Sequence, residues 1–244
     1  MQTNVIKQII DTSVNENRSV LTEIESKQIL LHLGIPVPEF FLATSAIEAV
    51  EHAREIGFPV VLKIVSPEIV HKSDANGVKL NLKNEEEVKE AYQTMIRDAK
   101  EYDSNARIIG TSVQKMMSGG TEVIIGMNRD KVFGPVLLFG LGGIFVELLK
   151  DVSMRVLPLA EQDIESMFSE ITASKILTGY RGSKPVDVES LKDIIRKVAD
   201  FSQDFPEISE FELNPVLVQE VGGGAIALDA RIILENQIDK EIAS

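Results

Sequence analysis

The spacing of apolar residues along this chain switches repeatedly between a helical and a strand period, and the switches mark its elements. Leu21, Ile24, Ile29, Leu30 and Leu33 follow a broken period of about 3.6, which predicts a helix over 16–34. Gly34 would end it ahead of the extended Ile35-Pro36-Val37-Pro38. A strand at 40–42 runs into Thr44 and Ser45, good N-cap types for a helix reaching Ile56, which Gly57 closes. Residues 58–65 then read as a buried strand, apolar throughout except for Lys63. A polar loop over 66–76 leads to a strand at 78–82. Asn84 caps a charged helix over 85–101, and a strand at 107–116 completes a first α/β unit.

Beyond that point the pattern changes. Strands at 121–127 and 132–139 flank Asn128-Arg129-Asp130, a hairpin signal. Gly140-Leu141-Gly142-Gly143 and a strand at 152–157 follow. Helices are predicted at 161–171 and 187–204, with a loop or lid at 178–185 between them, and strands at 208–213, 216–221 and 225–228 end the pattern. Helices mixed with hairpin and parallel-type strands imply an α+β fold rather than a doubly wound sheet. The divisions expected are an N-terminal helical segment, 1–34, a first lobe, 35–116, and a second lobe, 117–244, the break falling where Ser118-Gly119-Gly120 follows a strand.

Composition narrows the partners. A chain of 244 residues can bury the core of one large domain or two small ones. Its 25 basic and 38 acidic residues give a net charge of −13, which a nucleic-acid backbone would repel. Aromatic residues make up 5% and tryptophan is absent, so a base-stacking surface for single strands is not expected. The absence of cysteine removes disulfides, thiolate catalysis and thiolate zinc sites together. The start, MQTNVIKQII, lacks the basic segment and long apolar stretch of a signal peptide, and runs such as 58–65 are too short to cross a bilayer. A cytoplasmic protein is expected. Against the acidic background, Lys63, Lys72, Lys79 and Lys83 form a small basic interval, either solvated surface or part of an anion site.

Three places could carry chemistry. Lys63 lies within an apolar strand, where an ammonium needs an anion or a route for its stem to water. Of the three histidines, His32 and His52 fall in charged helical patterns, whereas His71 lies in a loop between two core strands, beside Lys72 and Asp74. It is either a polar loop residue or a nucleophile whose tautomer a carboxylate fixes. Strand alternation puts Glu212 and Asn214 on one face, and Asp229 ends a later strand. If those strands are neighbours, three oxygen donors converge in a set suited to Mg²⁺; the alternative is a polar strand end closed by a proline turn. Gln114, Lys115, Met116 and Glu122 taken alone are ordinary strand-end residues. The Gly140 to Gly143 run has neither the lysine of a P-loop nor the flanks of a dinucleotide fingerprint.

Taken together, GFPVVLKIVSPEIVHKSDANGVKLNL, VQKMMSGGTEVIIGMNRDKVFGPVLLFGLGGIFVELLKDVSMRVLPL, and ELNPVLV with LDAR resemble an ATP-grasp protein. More narrowly, the chain is similar to the β subunit of ADP-forming acetyl-CoA synthetase (acetate–CoA ligase, ADP-forming). The resemblance implies two lobes clamping ATP or ADP. Lys63 would contact the nucleotide phosphates, with Val65 beside it in the nucleotide-binding set. Gln114, Lys115 and Met116 would meet adenine through their backbone, Glu122 would bind ribose or order the hinge, and Glu212, Asn214 and Asp229 would hold Mg²⁺. His71 would be the catalytic phosphohistidine. Glu212 could instead orient His71. The related succinyl-CoA synthetase β subunit lacks this loop histidine and has a further C-terminal domain, for which this chain is too short. One departure is Asn76-Gly77 in place of a glycine pair; asparagine tolerates positive φ, so the turn can survive.

The activity so implied interconverts acyl-CoA, ADP and phosphate with acid, CoA and ATP, and the phosphoryl group would pass from a partner's histidine to His71 and on to ADP. No CoA-binding Rossmann fingerprint is present, so a separate CoA-binding α subunit, in an α2β2 hetero-oligomer, is expected. Two alternatives stand beside this: an ATP-grasp carboxylate ligase in which His71 is incidental, and a non-catalytic nucleotide-sensing subunit.

Overall fold

The computed structural model describes residues 2–143, 151–172 and 174–235. It divides into two compact units, one comprising 22–25 and 38–118, the other 1–21, 26–37 and 119–244. Every strand pairing among the described residues is antiparallel, so the parallel-type strands expected from sequence are absent there. Residues 144–150, within the glycine-containing motif, lie outside the described residues.

The smaller unit is a four-stranded sheet in the order β1 (Phe40–Ala43), β4 (Gly110–Lys115), β2 (Val60–Val65), β3 (Val78–Leu82). Helices α3 (Ala46–Ile56) and α4 (Glu85–Tyr102) share an apolar core with it. Ser45 and Asn84 cap those helices as their types predict, accepting from the N–H groups of Glu48 and Glu87. Ala49, Ala53, Val88 and Met95 meet Val60, Leu62 and Ile64 of β2 and Val113 of β4 in that core. Side chains alternate along a strand, so Val61, Lys63 and Val65 face the other way, with Ser112 and Gln114 beside them in register.

The larger unit is a six-stranded sheet. Its main path runs β10 (Ala230–Leu234), β8 (Ile208–Val218), β5 (Thr121–Asp130), β6 (Gly134–Leu141), β7 (Val152–Val156), and β9 (Ala225–Ala227) pairs with β8. Phe139, Phe211, Leu213 and Ile232 join one core with residues from α5 (Glu161–Glu170) and α6 (Val188–Asp204). Ile6 and Ile10 of α1 (Gln2–Asn15) and Ile29 and Leu30 of α2 (Glu23–His32) belong to that core too. The alternate residues Gly126, Asn128, Glu210 and Glu212 lie on the opposite face.

Two of these elements, α1 and β10, have no counterpart in the sequence reading, and three others differ from it. The helix expected over 16–34 is shorter: α1 ends at Asn15, and α2 begins only at Glu23. Between them the chain pairs with β10, Leu21 donating to the Ile232 carbonyl at 3.0 Å and Val20 bridging Ile233. Thr22 and Glu25 form a reciprocal capping pair that restarts the helix. The hairpin turn sits later than Asn128-Arg129-Asp130, because Asp130 itself organises it: its Oδ1 accepts from Val132 (2.7 Å) and Phe133 (2.9 Å). Those N–H groups, Phe133 first, hold the Asp130 carboxyl below its ordinary range. Third, 208–218 is one strand, not two; a register irregularity against β5 between Val123 and Ile125 lets β8 pass Pro215, which has no N–H to give the ladder. No helix among the described residues is long and apolar enough to cross a membrane.

Candidate functional site

Lys63 is central to β2 and only 7% exposed, so burial alone demands a counter-charge. The partner is Glu23, itself 4% exposed, whose Oε1 lies 3.0 Å from the Lys63 ammonium. The Gln114 amide donates to the same Oε1 at 2.7 Å and to the Ser112 hydroxyl at 2.9 Å. Oε2 of Glu23 lies 3.3 Å from the ammonium of Lys72. A buried polar cluster therefore joins the first residue of α2, two strands and the loop that carries His71. Of the sequence-predicted residues it brings Lys63 and Gln114 together.

The loop itself is pinned. Ile69 and Ala75 are buried in the smaller unit's core, and His71 is exposed between them. The carbonyl of His71 accepts from Asp74, that of Ser73 from Asn76, and that of Lys72 from Gly77 at 2.7 Å. Asn76 has φ +50°, the conformation a glycine would adopt most easily and an asparagine tolerates. Gly77 is needed for closeness rather than for φ. A Cβ there would stand 2.5 Å from Cγ2 of Ile64 and 2.8 Å from the Lys72 carbonyl oxygen. Gly77→Ala is accordingly expected to lower unfolding stability by about 1–3 kcal/mol, read from a urea melt; an unchanged midpoint would refute the close-packing account.

Val65 is buried at the end of β2, and its carbonyl accepts from Ile109. Lys115 points into the helix layer, its ammonium 2.8 Å from the Gly57 carbonyl and 3.3 Å from that of Ile56, where it closes the end of α3. Its own N–H is given to Glu39, and that of Met116 to Pro59. Through this backbone, a ligand at the strand end would meet carbonyl oxygens, or N–H groups further along the chain. Glu122 is exposed at the start of β5, and the N–H of Gly142 donates to its carbonyl at 2.7 Å. That contact gives the glycine run a packing role: a Cβ on Gly142 would come within 3.0 Å of Glu122.

In the larger unit, β8 and β10 are neighbours, as convergence of the oxygen donors requires. Arg231 pairs with Glu212 and Ala230 with Leu213, which sets Asp229 next to Asn214 at the end of the ladder. The Asn214 amide donates to Oε1 of Glu212 at 3.1 Å, and Asp229 accepts from the N–H of Ala230 at 2.9 Å. Arg231 bridges Glu210 and Glu212, the latter at 2.8 Å. Glu210 and Glu212 also edge a cavity of about 470 Å³ on the sheet's open face, floored by apolar residues such as Ile124, Leu138 and Met154. Two carboxylates and an amide oxygen are donors of the type that suits Mg²⁺, although Asn214 and Arg231 already engage both oxygens of Glu212. No cluster of three or more His, Cys, Asp or Glu among the described residues forms a metal cage, so water and ligand oxygens would have to complete the shell.

Sequence reading missed Glu23, Ser112, Glu210 and the bridging part of Arg231. The last lies on β10, a strand that the sequence reading does not contain. Glu23 carried no local signal, since its partner Lys63 is 40 positions away.

An antiparallel sheet carrying a strand lysine and a loop histidine, and a second sheet with oxygen donors on its open face, suit a nucleotide-binding protein. The chain matches the ATP-grasp domain family over residues 12–234 and belongs to that family. Within it, the likeness runs to ADP-forming acetate–CoA ligases. Subunit β of acetate–CoA ligase (ADP-forming) I from Pyrococcus furiosus is 52% identical over 228 residues, covering 93% of this chain and 97% of that one. The 4-hydroxybutyrate–CoA ligase (ADP-forming) of Nitrosopumilus maritimus is 45% identical over 93% of this chain, which spans 32% of that longer protein. Among solved structures, dinucleotide-forming acetyl-coenzyme A synthetase 1 of Ca. Korarchaeum cryptofilum, in complex with coenzyme A, Ca-AMPCP and HgCl+, has a TM-score of 0.89 at 49% identity, covering 94% of this chain and 99% of that one. Another structure of that protein, with coenzyme A and Mg-AMPPCP and its phosphohistidine segment pointing towards the nucleotide binding site, has a TM-score of 0.81 at 46% identity, covering 94% and 100%.

Proposed function

We propose that this chain is the nucleotide-binding subunit of an ADP-forming acyl-CoA synthetase, and that His71 passes a phosphoryl group to and from ADP. The observation that carries this reading is the His71 segment, an exposed imidazole on a loop pinned by buried Ile69 and Ala75, following the strand that bears Lys63. The names of the relatives, with their nucleotide analogues and phosphohistidine segment, support it.

In the exchange, an imidazole nitrogen attacks the γ-phosphorus of ATP. The N–P bond forms as the bond to the bridging oxygen breaks, and ADP leaves; the reverse makes ATP. Positioning and charge stabilisation dominate such a transfer. Lys63 supplies positive charge to the phosphates, with Val65 fixing the end of its strand. The backbone of Gln114, Lys115 and Met116 meets adenine, and Glu122 the ribose or hinge. Glu212, Asn214 and Asp229 would hold Mg²⁺, which when bound neutralises charge on the phosphate oxygens. The P. furiosus relative is named a β subunit. By the same reading a separate α subunit binds CoA and forms the acyl phosphate in an α2β2 assembly, in the cytoplasm. The lobes we propose are 35–116 and 117–244, after the helical segment 1–34.

The test is direct. The chain mixed with γ-labelled ATP and Mg²⁺ should acquire acid-labile, alkali-stable label, and added ADP should discharge it as labelled ATP. ATP binding without any label would favour the nucleotide-sensing alternative and refute the relay.

A further inference from the structure

Nucleotide chemistry calls for a lysine and a histidine; it does not call for the buried carboxylate that joins them. Glu23 has a side chain with no exposed surface, and its two oxygens are divided between two ammonium groups. Oε1 accepts a hydrogen bond from Lys63 at 3.0 Å, whereas Oε2 lies 3.3 Å from the Lys72 ammonium as an ion pair without a hydrogen bond. Lys72 directly follows His71, and its carbonyl closes the turn by accepting from Gly77 at 2.7 Å. Lys72 is therefore one anchor of the backbone from which the imidazole is displayed, between the buried Ile69 and Ala75.

We propose that Glu23 is a latch that holds the His71 segment through Lys72, on the carboxylate that also holds Lys63, and that an arriving phosphate group releases it. Glu23 is a positioning residue in this account; it acts through the two lysines. The proposal rests on the phosphohistidine reading for its purpose, though not for its geometry.

Three features argue for a latch rather than a fixed strut. Its anchor is rigid, because Glu23 opens α2 directly after Thr22, whose reciprocal bonds with Glu25 lock the first turn. Its two arms are unequal. The Lys63 contact is shorter and its side chain is 9% exposed, whereas the Lys72 contact is longer and its side chain 17% exposed, so the Lys72 arm is the one to yield. Finally, an ammonium is a mobile point charge that exchanges one anion for another readily, and a phosphate offers several charged oxygens against one carboxylate oxygen. Charge drawn to the incoming group is withdrawn from Glu23, and the stretch between the buried Ile69 and Ala75 gains freedom when there is phosphate for His71 to take or give.

Amide hydrogen exchange across 73–77 tests this in the full chain. Lys72→Gln leaves the Glu23–Lys63 pair in place and is expected to speed exchange there about tenfold. Glu23→Gln should speed exchange there at least as much, because it takes the carboxylate from Lys63 and Gln114 as well as from Lys72. Lys72→Arg should restore protection. Saturating Mg-AMPPCP should raise exchange in the wild type towards the Lys72→Gln level and leave Lys72→Gln unchanged. Wild-type exchange in Lys72→Gln, or an analogue effect that persists in Lys72→Gln, would each overturn the latch. If Glu23→Gln fails to fold, Lys72→Gln and Lys72→Arg still decide. Failure of the phosphohistidine reading shows separately, as absence of label from γ-labelled ATP with the exchange coupling intact.

Discussion

Replacing His71 by alanine is expected to abolish the acid-labile label acquired from γ-labelled ATP while leaving the fold and nucleotide affinity essentially as they were. The imidazole is exposed, and the bonds that shape its turn come from its backbone carbonyl, so truncation removes a nucleophile and little else. No cysteine is available to substitute, and His32 and His52 are helix residues, His52 stacked on Phe41 at 4.7 Å. A fall of at least about a thousandfold in transfer rate, the scale for deletion of a nucleophile, should accompany a melting temperature within about 2 °C of wild type, since surface changes rarely exceed ~0.5 kcal/mol. Label that persists in His71→Ala would leave the ATP-grasp assignment standing and sink the relay. Acyl-phosphate formation surviving the substitution would point to a ligase in which His71 is incidental.

The second large effect is expected at Lys63, where two consequences must be separated. Lys63→Met removes the 3.0 Å partner from a buried carboxylate, and breaking a buried pair from one side costs about 3–5 kcal/mol. It also removes a phosphate contact, and a charge-assisted bond of about 1.5–3 kcal/mol corresponds to roughly ten- to a hundredfold in Kd for Mg-ADP. Adding Glu23→Gln to Lys63→Met takes away the stranded charge, so the double variant should regain most of the lost stability. It should not regain nucleotide affinity. Calorimetric titration beside urea melts reads both quantities. A double variant that binds Mg-ADP like the wild type would make Lys63 a structural residue, the other reading its buried position allows.

What was legible in the sequence was whatever a local period or a local cap could write. The apolar run ahead of the His71 loop gave β2, and Ser45 and Asn84 gave the starts of α3 and α4. Alternation put Glu212 and Asn214 on one face, and Asp229, expected at the end of the 225–228 strand, falls between β9 and β10, both of which pair with β8. What was not legible depended on distant contacts. The helix expected through 16–22 is interrupted because Leu21 pairs with Ile232, a preference no window around Leu21 contains. Pro215 read as a strand end, yet a register irregularity in β5 against β8 accommodates it. Glu23 looked like one acid among 38, and only the fold discloses that it meets Lys63, Lys72 and Gln114.

The alternation of β2 has a consequence for how the chain finds its fold. Val60, Leu62 and Ile64 lie under the helices while Lys63 faces away from them. A slip of the strand by one residue would exchange those faces and drive an ammonium among Ala49, Ala53, Val88 and Met95, where nothing apolar can answer its charge. An all-valine strand could slide at little cost; this one cannot. The group that we expect to meet phosphate in the finished protein thus also proofreads the pairing of its own strand during folding.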